Sequence, residues 1–293
     1  MTRVRLPAPL RLLRPHQCAK NLLILLPALA AHTAWSAALG FRLALGFVAL
    51  SLVASTLYVV NDIVDLPNDR LHPVKRLRPL AAGEMTSFAA AALAVVTAAL
   101  AVASALPLGG DFAAVLACYA ALSAGYTFLL KRKPVLDAIA LATLYTVRVV
   151  AGAALAPAPL SRWFIAFAVF FFLSLALVKR YVEIAERPAE GGGALGRGYV
   201  REDLPVLAGL GIAGAAAATL VYCLYISGPE VTRLYARPDV LWVGLPILLY
   251  WQARVWLLTV RGDMHTDPVV YALTDRVSYL LFGGFVLVTL LAA

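Results

Sequence analysis

Three aspartates, Asp62, Asp65 and Asp69, are spaced by three and four residues in the stretch that opens with Asn61 and closes at Pro79. A helix continuing through this stretch would stack all three carboxylates on one face. Pro67, which lies between them, would either kink that helix or begin a new one. Carboxylates stacked in this way repel one another unless a cation neutralises them. Oxygen-only ligands with no cysteine nearby point to Mg²⁺, which keeps several waters and is held by one or two carboxylates together with phosphate oxygens. Four cations, Arg70, Lys75, Arg76 and Arg78, follow directly and are placed to grip those phosphates. The plain alternative is a solvated cap whose basic residues only set topology, but the ordered acidic spacing ahead of the cations favours a site.

A second concentration of polar residues runs through Tyr126, Lys131 and Asp137 to Tyr145 and Arg148. Eleven residues make close to three helical turns, so Asp137, Leu141, Tyr145 and Arg148 are expected near one face. An arginine two or three turns inside a membrane helix must face the interior and find an anion. That anion is either a ligand or Asp137 itself, in an internal bridge.

Lys20, just ahead of the first apolar run, could bind phosphate or snorkel to the headgroups. Lys179 and Arg180 close the sixth run, ahead of a Gly-rich stretch at 191–198 that reads as a flexible connection rather than a lid. Asp267 before Pro268 could contact a metal, but the Asp-Pro pair reads first as a turn and helix start.

The elements that must position these residues are membrane helices. Of the 293 residues, 62% are apolar and 14% charged, far more hydrophobic than a soluble core of that size needs. About nine spans of roughly 20 residues each can be placed, near 21–38, 41–61, 87–107, 112–130, 134–155, 161–178, 204–228, 238–258 and 273–292. The expected fold is therefore an all-α polytopic bundle. We expect one transmembrane domain over 1–293, with a short basic segment at 1–20 and no signal peptide.

The N-terminal segment and the connections after the second, fourth, sixth and eighth spans hold nearly all the lysine and arginine. The opposite side has only Arg42, Arg162, Arg233 and Arg237. The N-terminus and the charged candidate residues are accordingly expected in the cytoplasm. A net charge of +9 would suggest nucleic acid in a soluble protein, but here it is largely this retention signal, and no nucleic-acid partner is expected. Cys18, Cys118 and Cys223 lack metal-ligand or paired spacing and read as packing residues.

With nine spans and the Asn61-Asp62, Asp65, Asp69 set after the second, the chain resembles the UbiA-type superfamily of intramembrane transferases. The phrases Arg14-Pro15-His16-Gln17 to Lys20-Asn21, Asp69-Arg70 to His72-Pro73 and Lys75-Arg76 to Arg78-Pro79 resemble most its decaprenyl-phosphate phosphoribosyltransferase branch. The resemblance implies a diphosphate bound through Mg²⁺ in a cavity between helices. Aromatic prenyltransferases of the superfamily usually carry a second motif with carboxylates four residues apart. Here Leu141 stands at that spacing from Asp137, which puts the two-motif clamp in doubt.

The resemblance further implies phosphoribosyl pyrophosphate as donor and a polyprenyl phosphate as acceptor, in the inner membrane. Departure of pyrophosphate leaves an oxocarbenium-like ribose, so the main requirement is stabilising the leaving anion. The acceptor is already an anion and needs no strong general base. On this reading Asp62 and Asp65 hold Mg²⁺, and Asn61 and Asp69 orient the donor or its metal. Lys20, Arg70, Lys75, Arg76, Arg78, Tyr126, Lys131, Asp137, Arg148, Lys179 and Arg180 form the phosphate-binding set. Two other readings stand beside it: transfer of an isoprenoid from its diphosphate to a small acceptor, and a non-catalytic lipid-phosphate carrier.

Overall fold

Proline starts the N-terminal helical segments, and capping side chains start several of the longer helices. In a computed structural model, which describes residues 6–30, 36–71, 73–156, 161–186, 198–265, 267–272 and 274–293, the chain starts with a short helix, α1 (Ala8–Leu13). A 3-10 segment, Pro15–Leu25, then runs into α2 (Leu26–Ala30). His72 and the Gly-rich stretch up to residue 197 lie outside the described residues.

The long helices follow. They are α3 (Ala37–Val64), α5 (Ser87–Ala105), α6 (Gly110–Gly125), α7 (Leu136–Leu155), α8 (Arg162–Ala185), α9 (Leu204–Ile226) and α11 (Gly244–Arg261). Between them lie α4 (Leu66–Leu71) and α10 (Pro229–Leu234), and α12 (Pro268–Ala272) and α13 (Arg276–Ala292) complete the order. Serine, threonine and aspartate start the helices as N-cap acceptors: Ser36 for Leu39, Thr86 for Ala89, Ser161 for Trp163 and Asp275 for Ser278.

Among the described residues seven helices are long and apolar enough to cross a membrane, and α13 is a shorter apolar one. The expectation of about nine spans is thus met by seven long helices plus two shorter apolar segments at the chain ends. The first of these departs from the expected 21–38, because Pro15 and Pro27 favour a loosely wound segment over a regular helix. A 3-10 segment rises about 2.0 Å per residue, so Pro15–Ala30 still reaches roughly 30 Å, the thickness of the hydrocarbon layer.

The most extensive contacts join α8 to α9, α3 to α5 and α7 to α8. Small and hydroxyl side chains allow them: the hydroxyls of Thr56 and Thr97 meet at 2.8 Å between α3 and α5. Gly152 matters most. A Cβ at that position would lie 2.0 Å from the carbonyl oxygen of Ile24, so only glycine lets the N-terminal segment lie against α7. The outward faces carry large exposed apolar side chains such as Phe88, Val95, Leu280 and Leu290, which suit lipid rather than water.

Candidate active site

The acidic set sits at a helix break. α3 ends at Val64 and α4 begins at Leu66, with Pro67 in its first turn, so Pro67 starts a new helix rather than kinking the old one. The backbone spacing survives the break, since the Asp65 N–H donates to Asn61 and the Asp69 N–H to Asp65, each at 2.8 Å. Asp62 and Asp69, each 2% exposed, share one guanidinium. Nη1 of Arg78 is 3.1 Å from Asp62 and 2.5 Å from Asp69. Asp65 turns aside to Lys131, 3.3 Å away, and Lys75 approaches Asp69 at 4.0 Å. Buried carboxylates require such partners, because an isolated buried charge is costly. Arg70 and Arg76 face outward and are exposed, and Asn61 is half-buried beside Asp62 in sequence.

Arg14, which the sequence offers only within the Arg14-Pro15-His16-Gln17 phrase and without a role, joins this set. Its guanidinium lies 2.5 Å from Asp62 and 5.1 Å from the Tyr58 ring centroid. Arg14 adopts a left-handed backbone, φ 54°, uncommon outside glycine, at the junction of α1 and the 3-10 segment. Two contacts hold that junction in place: the Ser55 hydroxyl donates to the Leu13 carbonyl, and Leu12 is fully buried among Val59, Leu80 and Ala90.

Asp137 does not bridge to Arg148. It is fully buried and pairs with Arg180, which also donates to the Tyr126 hydroxyl at 3.0 Å and pairs with Glu183. The reason is that α8 outlasts its apolar run. The helix continues to Ala185 and turns Arg180, 1% exposed, inward opposite the start of α7. Tyr199 completes the cluster by donating to Asp137 at 2.5 Å while accepting from the Val135 N–H at 2.7 Å. Burial and the Asp137 carboxylate both push the Tyr199 hydroxyl above its ordinary range. Tyr199 follows the Gly-rich stretch and lies outside every apolar run, so no spacing pattern singled it out.

Arg148 faces the interior as expected, but the partners it finds are neutral. Its nitrogens donate to Asn21 Oδ1 at 2.9 Å, to the Leu144 carbonyl at 2.7 Å and to the Tyr119 hydroxyl at 2.7 Å. Its guanidinium lies over the rings of Tyr119 and Tyr145. The expectation of an anionic partner is therefore corrected. Three well-placed acceptors and two π faces solvate the charge in place of a carboxylate.

Lys20 and Lys179 meet on Asp267. Both ammonium groups donate to Oδ2 of Asp267, at 2.8 and 2.9 Å, while Oδ1 accepts from the Val269 N–H at the start of α12. Asp267 thus serves as the helix start its Asp-Pro sequence suggests and also gathers two cations. Burial alone would raise its pKa, but the Lys179 and Lys20 charges outweigh that and hold the carboxyl well below the usual carboxylate range.

The donor set suits a hard dication. Asp62, Asp65 and Asp69 offer only oxygen, and each already attracts a cationic group. Among the described residues no group of three or more His, Cys, Asp or Glu side chains converges on one point. An all-oxygen donor set of this kind suits Mg²⁺ held by one or two carboxylates and completed by water and phosphate oxygens.

Residues 22–290 match the UbiA prenyltransferase family. The chain is 37% identical over 271 residues to the uncharacterized protein y4nM of Sinorhizobium fredii, covering 92% of this chain and 52% of that one, so it spans about half that relative's length. It is 34% identical to nodulation protein NoeC of Azorhizobium caulinodans, over 94% of this chain and 89% of the relative. It is 31% identical to the decaprenyl-phosphate phosphoribosyltransferase of Mycolicibacterium smegmatis, with the same two coverages, 94% and 89%. Among solved structures, a UbiA homolog from Archaeoglobus fulgidus bound to DMAPP and Mg²⁺ superposes with a TM-score of 0.72 at 18% identity, over 97% of this chain and 98% of that one. With the family match running nearly end to end over an all-helical membrane bundle, the chain belongs to the UbiA prenyltransferase family of multi-pass membrane transferases.

Proposed function

We propose that this protein transfers 5-phosphoribose from phosphoribosyl pyrophosphate to a polyprenyl phosphate such as decaprenyl phosphate, releasing pyrophosphate. The site would face the cytoplasm at the basic end of the bundle, in the inner membrane. The observation that carries the reading is the ring of cations around the acidic set: Arg14 and Arg78 on Asp62, Arg78 on Asp69, and Lys131 on Asp65. A magnesium diphosphate brings its own positive and negative charges to such a site, so each ion pair can be exchanged for a metal or phosphate contact without leaving a bare charge. The relatives named decaprenyl-phosphate phosphoribosyltransferase support this donor and acceptor.

Each residue then has a task. Asp62 and Asp65 would hold Mg²⁺, whose charge, when bound, helps stabilise the leaving pyrophosphate. Asp69 and Asn61 orient the donor. Arg78 and Lys131, released from their carboxylates, donate to diphosphate oxygens as negative charge builds on the leaving group. The Asp137, Arg180, Tyr126 and Tyr199 cluster fixes both ends of the segment that carries Lys131. Arg70, Lys75 and Arg76 line the approach and attract anions at longer range.

The test is mass spectrometry of lipids after the purified protein is incubated with phosphoribosyl pyrophosphate, Mg²⁺ and polyprenyl phosphate. A phosphoribosyl lipid made by the unmodified protein and not by Asp62→Asn is the expected result. No product from that mixture, together with product from an isoprenoid diphosphate and an aromatic acceptor, would replace it with prenyl transfer. No product from either mixture would leave the carrier reading.

A further inference from the structure

The connection between α3 and α5 has two faces. The inward one carries Asp69 and Arg78, which pair, and Leu80, which is buried with Val59 of α3 and Ala90 of α5. The outward one carries Leu71, Val74 and Leu77, which are 87%, 69% and 69% exposed. They recur every third residue, and the 3-10 turn at Lys75–Leu77 brings residues three apart to one side. Two exposed cations, Arg70 and Arg76, stand next to Leu71 and Leu77.

Single exposed apolar residues are ordinary on a surface, but three within seven residues form a patch that needs a cover. The α11–α12 connection at the same end of the bundle behaves differently. It buries Met264 and exposes Gly262, Asp263 and His265, as a stretch facing water does.

The depth of the patch is set by its neighbours. Helical hydrogen-bond spacing continues from α3 as far as Asp69, and three residues after Leu77 the chain is back among Val59 and Ala90, inside the packed spans. The outward residues are thus held close to the ends of two membrane helices. Val64, the last residue of α3, and Phe88, in the first turn of α5, are also exposed, so apolar surface brackets the connection on both sides. An apolar stripe beside arginines has the composition of an element that lies in the headgroup layer of an anionic leaflet. Two-fold pairing with a second copy of the chain would crowd like charges onto one patch, which anionic headgroups avoid.

We propose that this connection docks into the leaflet at the basic end of the bundle, with Leu71, Val74 and Leu77 inserted among the lipids and Arg70 and Arg76 against anionic phospholipid headgroups. Asp69 and Arg78, on the opposite face, are thereby held at headgroup depth, where a lipid-borne substrate reaches the acidic set without leaving the leaflet. The docking goes beyond the reaction proposed above and holds whichever group is transferred.

The experiment measures depth and needs no substrate. The full chain, with Cys18, Cys118 and Cys223 replaced by alanine, is placed as a single copy in nanodiscs of phosphatidylcholine with or without phosphatidylglycerol. Leu71→Cys, Leu77→Cys and, as the water-facing control, His265→Cys each carry a bimane probe. Doxyl groups about 5–10 Å below the headgroups report contact with the leaflet, and iodide reports contact with water. Probes at 71 and 77 should be quenched by doxyl lipid, and their quenching by iodide should be at least ~5-fold weaker than at 265. Phosphatidylglycerol should strengthen the doxyl quenching at 71 and 77 and leave 265 unchanged.

Probes at 71 and 77 that iodide reaches as freely as 265, with no doxyl quenching, would overturn the proposal. Shielding from iodide without doxyl quenching would also overturn it, and would assign the cover to protein instead of lipid. Doxyl quenching indifferent to phosphatidylglycerol would remove the role of the arginines. If the alanine replacements unfold the chain, the same cysteines in the otherwise unmodified protein are read by their rate of alkylation with a water-soluble maleimide, through mass spectrometry of each labelled peptide. Alkylation at 71 and 77 as fast as at 265 would then overturn the docking.

Discussion

The Tyr199 hydroxyl lies 2.5 Å from Asp137, 62 positions earlier in the chain, and ties the loop before α9 to the first turn of α7. The same oxygen accepts from the Val135 N–H, where the backbone turns with φ 65°, a conformation a β-branched residue rarely adopts. Removing the hydroxyl leaves both a buried carboxylate oxygen and a backbone donor short of a partner. Tyr199→Phe is expected to cost about 2 kcal/mol, from the hydrogen bond to a charged group. It should lower the melting temperature in detergent by several degrees and slow turnover through misplacement of Lys131. A melting curve that superposes on that of the unmodified protein would contradict this account of the latch.

Asp65 and Asp62 should separate stability from chemistry. The Asp65–Lys131 pair is partly exposed at 3.3 Å, and exposed pairs of this kind are worth under about 1 kcal/mol. Asp65→Asn is therefore expected to melt within a few degrees of the unmodified protein, yet to form product at least ~100-fold more slowly if it holds the metal. Asp62→Asn should be equally inactive and also less stable, because Arg14 and Arg78 lose a buried anion. Turnover by Asp65→Asn near the unmodified rate would remove it from the metal site.

Gly152→Val tests the docking of the N-terminal segment. The added Cβ would meet the Ile24 carbonyl at 2.0 Å, which α7 and the segment can relieve only by moving apart. Overpacking of this kind costs roughly 1–3 kcal/mol or more. We expect lost stability together with slower product formation, because Lys20 and its contact with Asp267 move with the segment. Gly40, inside α3 with open space around it, is the control position: Gly40→Ala should leave product formation unchanged and raise stability by up to about 1 kcal/mol.

The Asp267 carboxyl is held low by its lysines, so its contribution has a defined pH window. A carboxyl with a depressed folded-state pKa adds stability above its unfolded value, about 3.9. That contribution fades as the pH falls below the unfolded value toward the folded one. The difference in melting temperature between the unmodified protein and Asp267→Asn should stay constant from pH 7 to about pH 5. It should then shrink below about pH 4. A difference that vanished by pH 6 would mean the carboxyl is not clamped as described.

Arg148→Lys asks how specific a buried guanidinium must be. Lysine keeps the charge but cannot serve Asn21, Leu144 and Tyr119 at once in the plane of a fork. The variant should lose several degrees of melting temperature and expose the N-terminal segment to protease. Protection equal to that of the unmodified protein would show that Asn21 does not depend on Arg148.

Much of this architecture is written in local pattern. Apolar runs marked the helices, and Asp62, Asp65 and Asp69 with their trailing cations marked one charged centre before any geometry was available. Two kinds of feature escaped. Partners that meet across distant elements, such as Asp137 with Arg180 rather than Arg148, depend on where α8 stops, and its apolar run ends before the helix does. The Asp62 contact of Arg14 and the role of Tyr199 escaped for a related reason. Each residue sits at an irregular backbone position outside the spans, where helical periodicity says nothing about direction.

The contact between Lys20 and Asp267 joins residues 247 positions apart. A ribosome adding about 5–20 residues per second needs roughly 10–50 s to cover that distance. Throughout that interval the earliest part of the chain waits beside the insertion machinery with its lysine unpaired. Membrane insertion of the first spans and closure of the Lys20–Asp267 contact are therefore two events in time, and the second must await synthesis of residue 267. A ribosome stalled after α11 would hold a bundle with nearly every span in place and the Lys20–Asp267 contact still unmade.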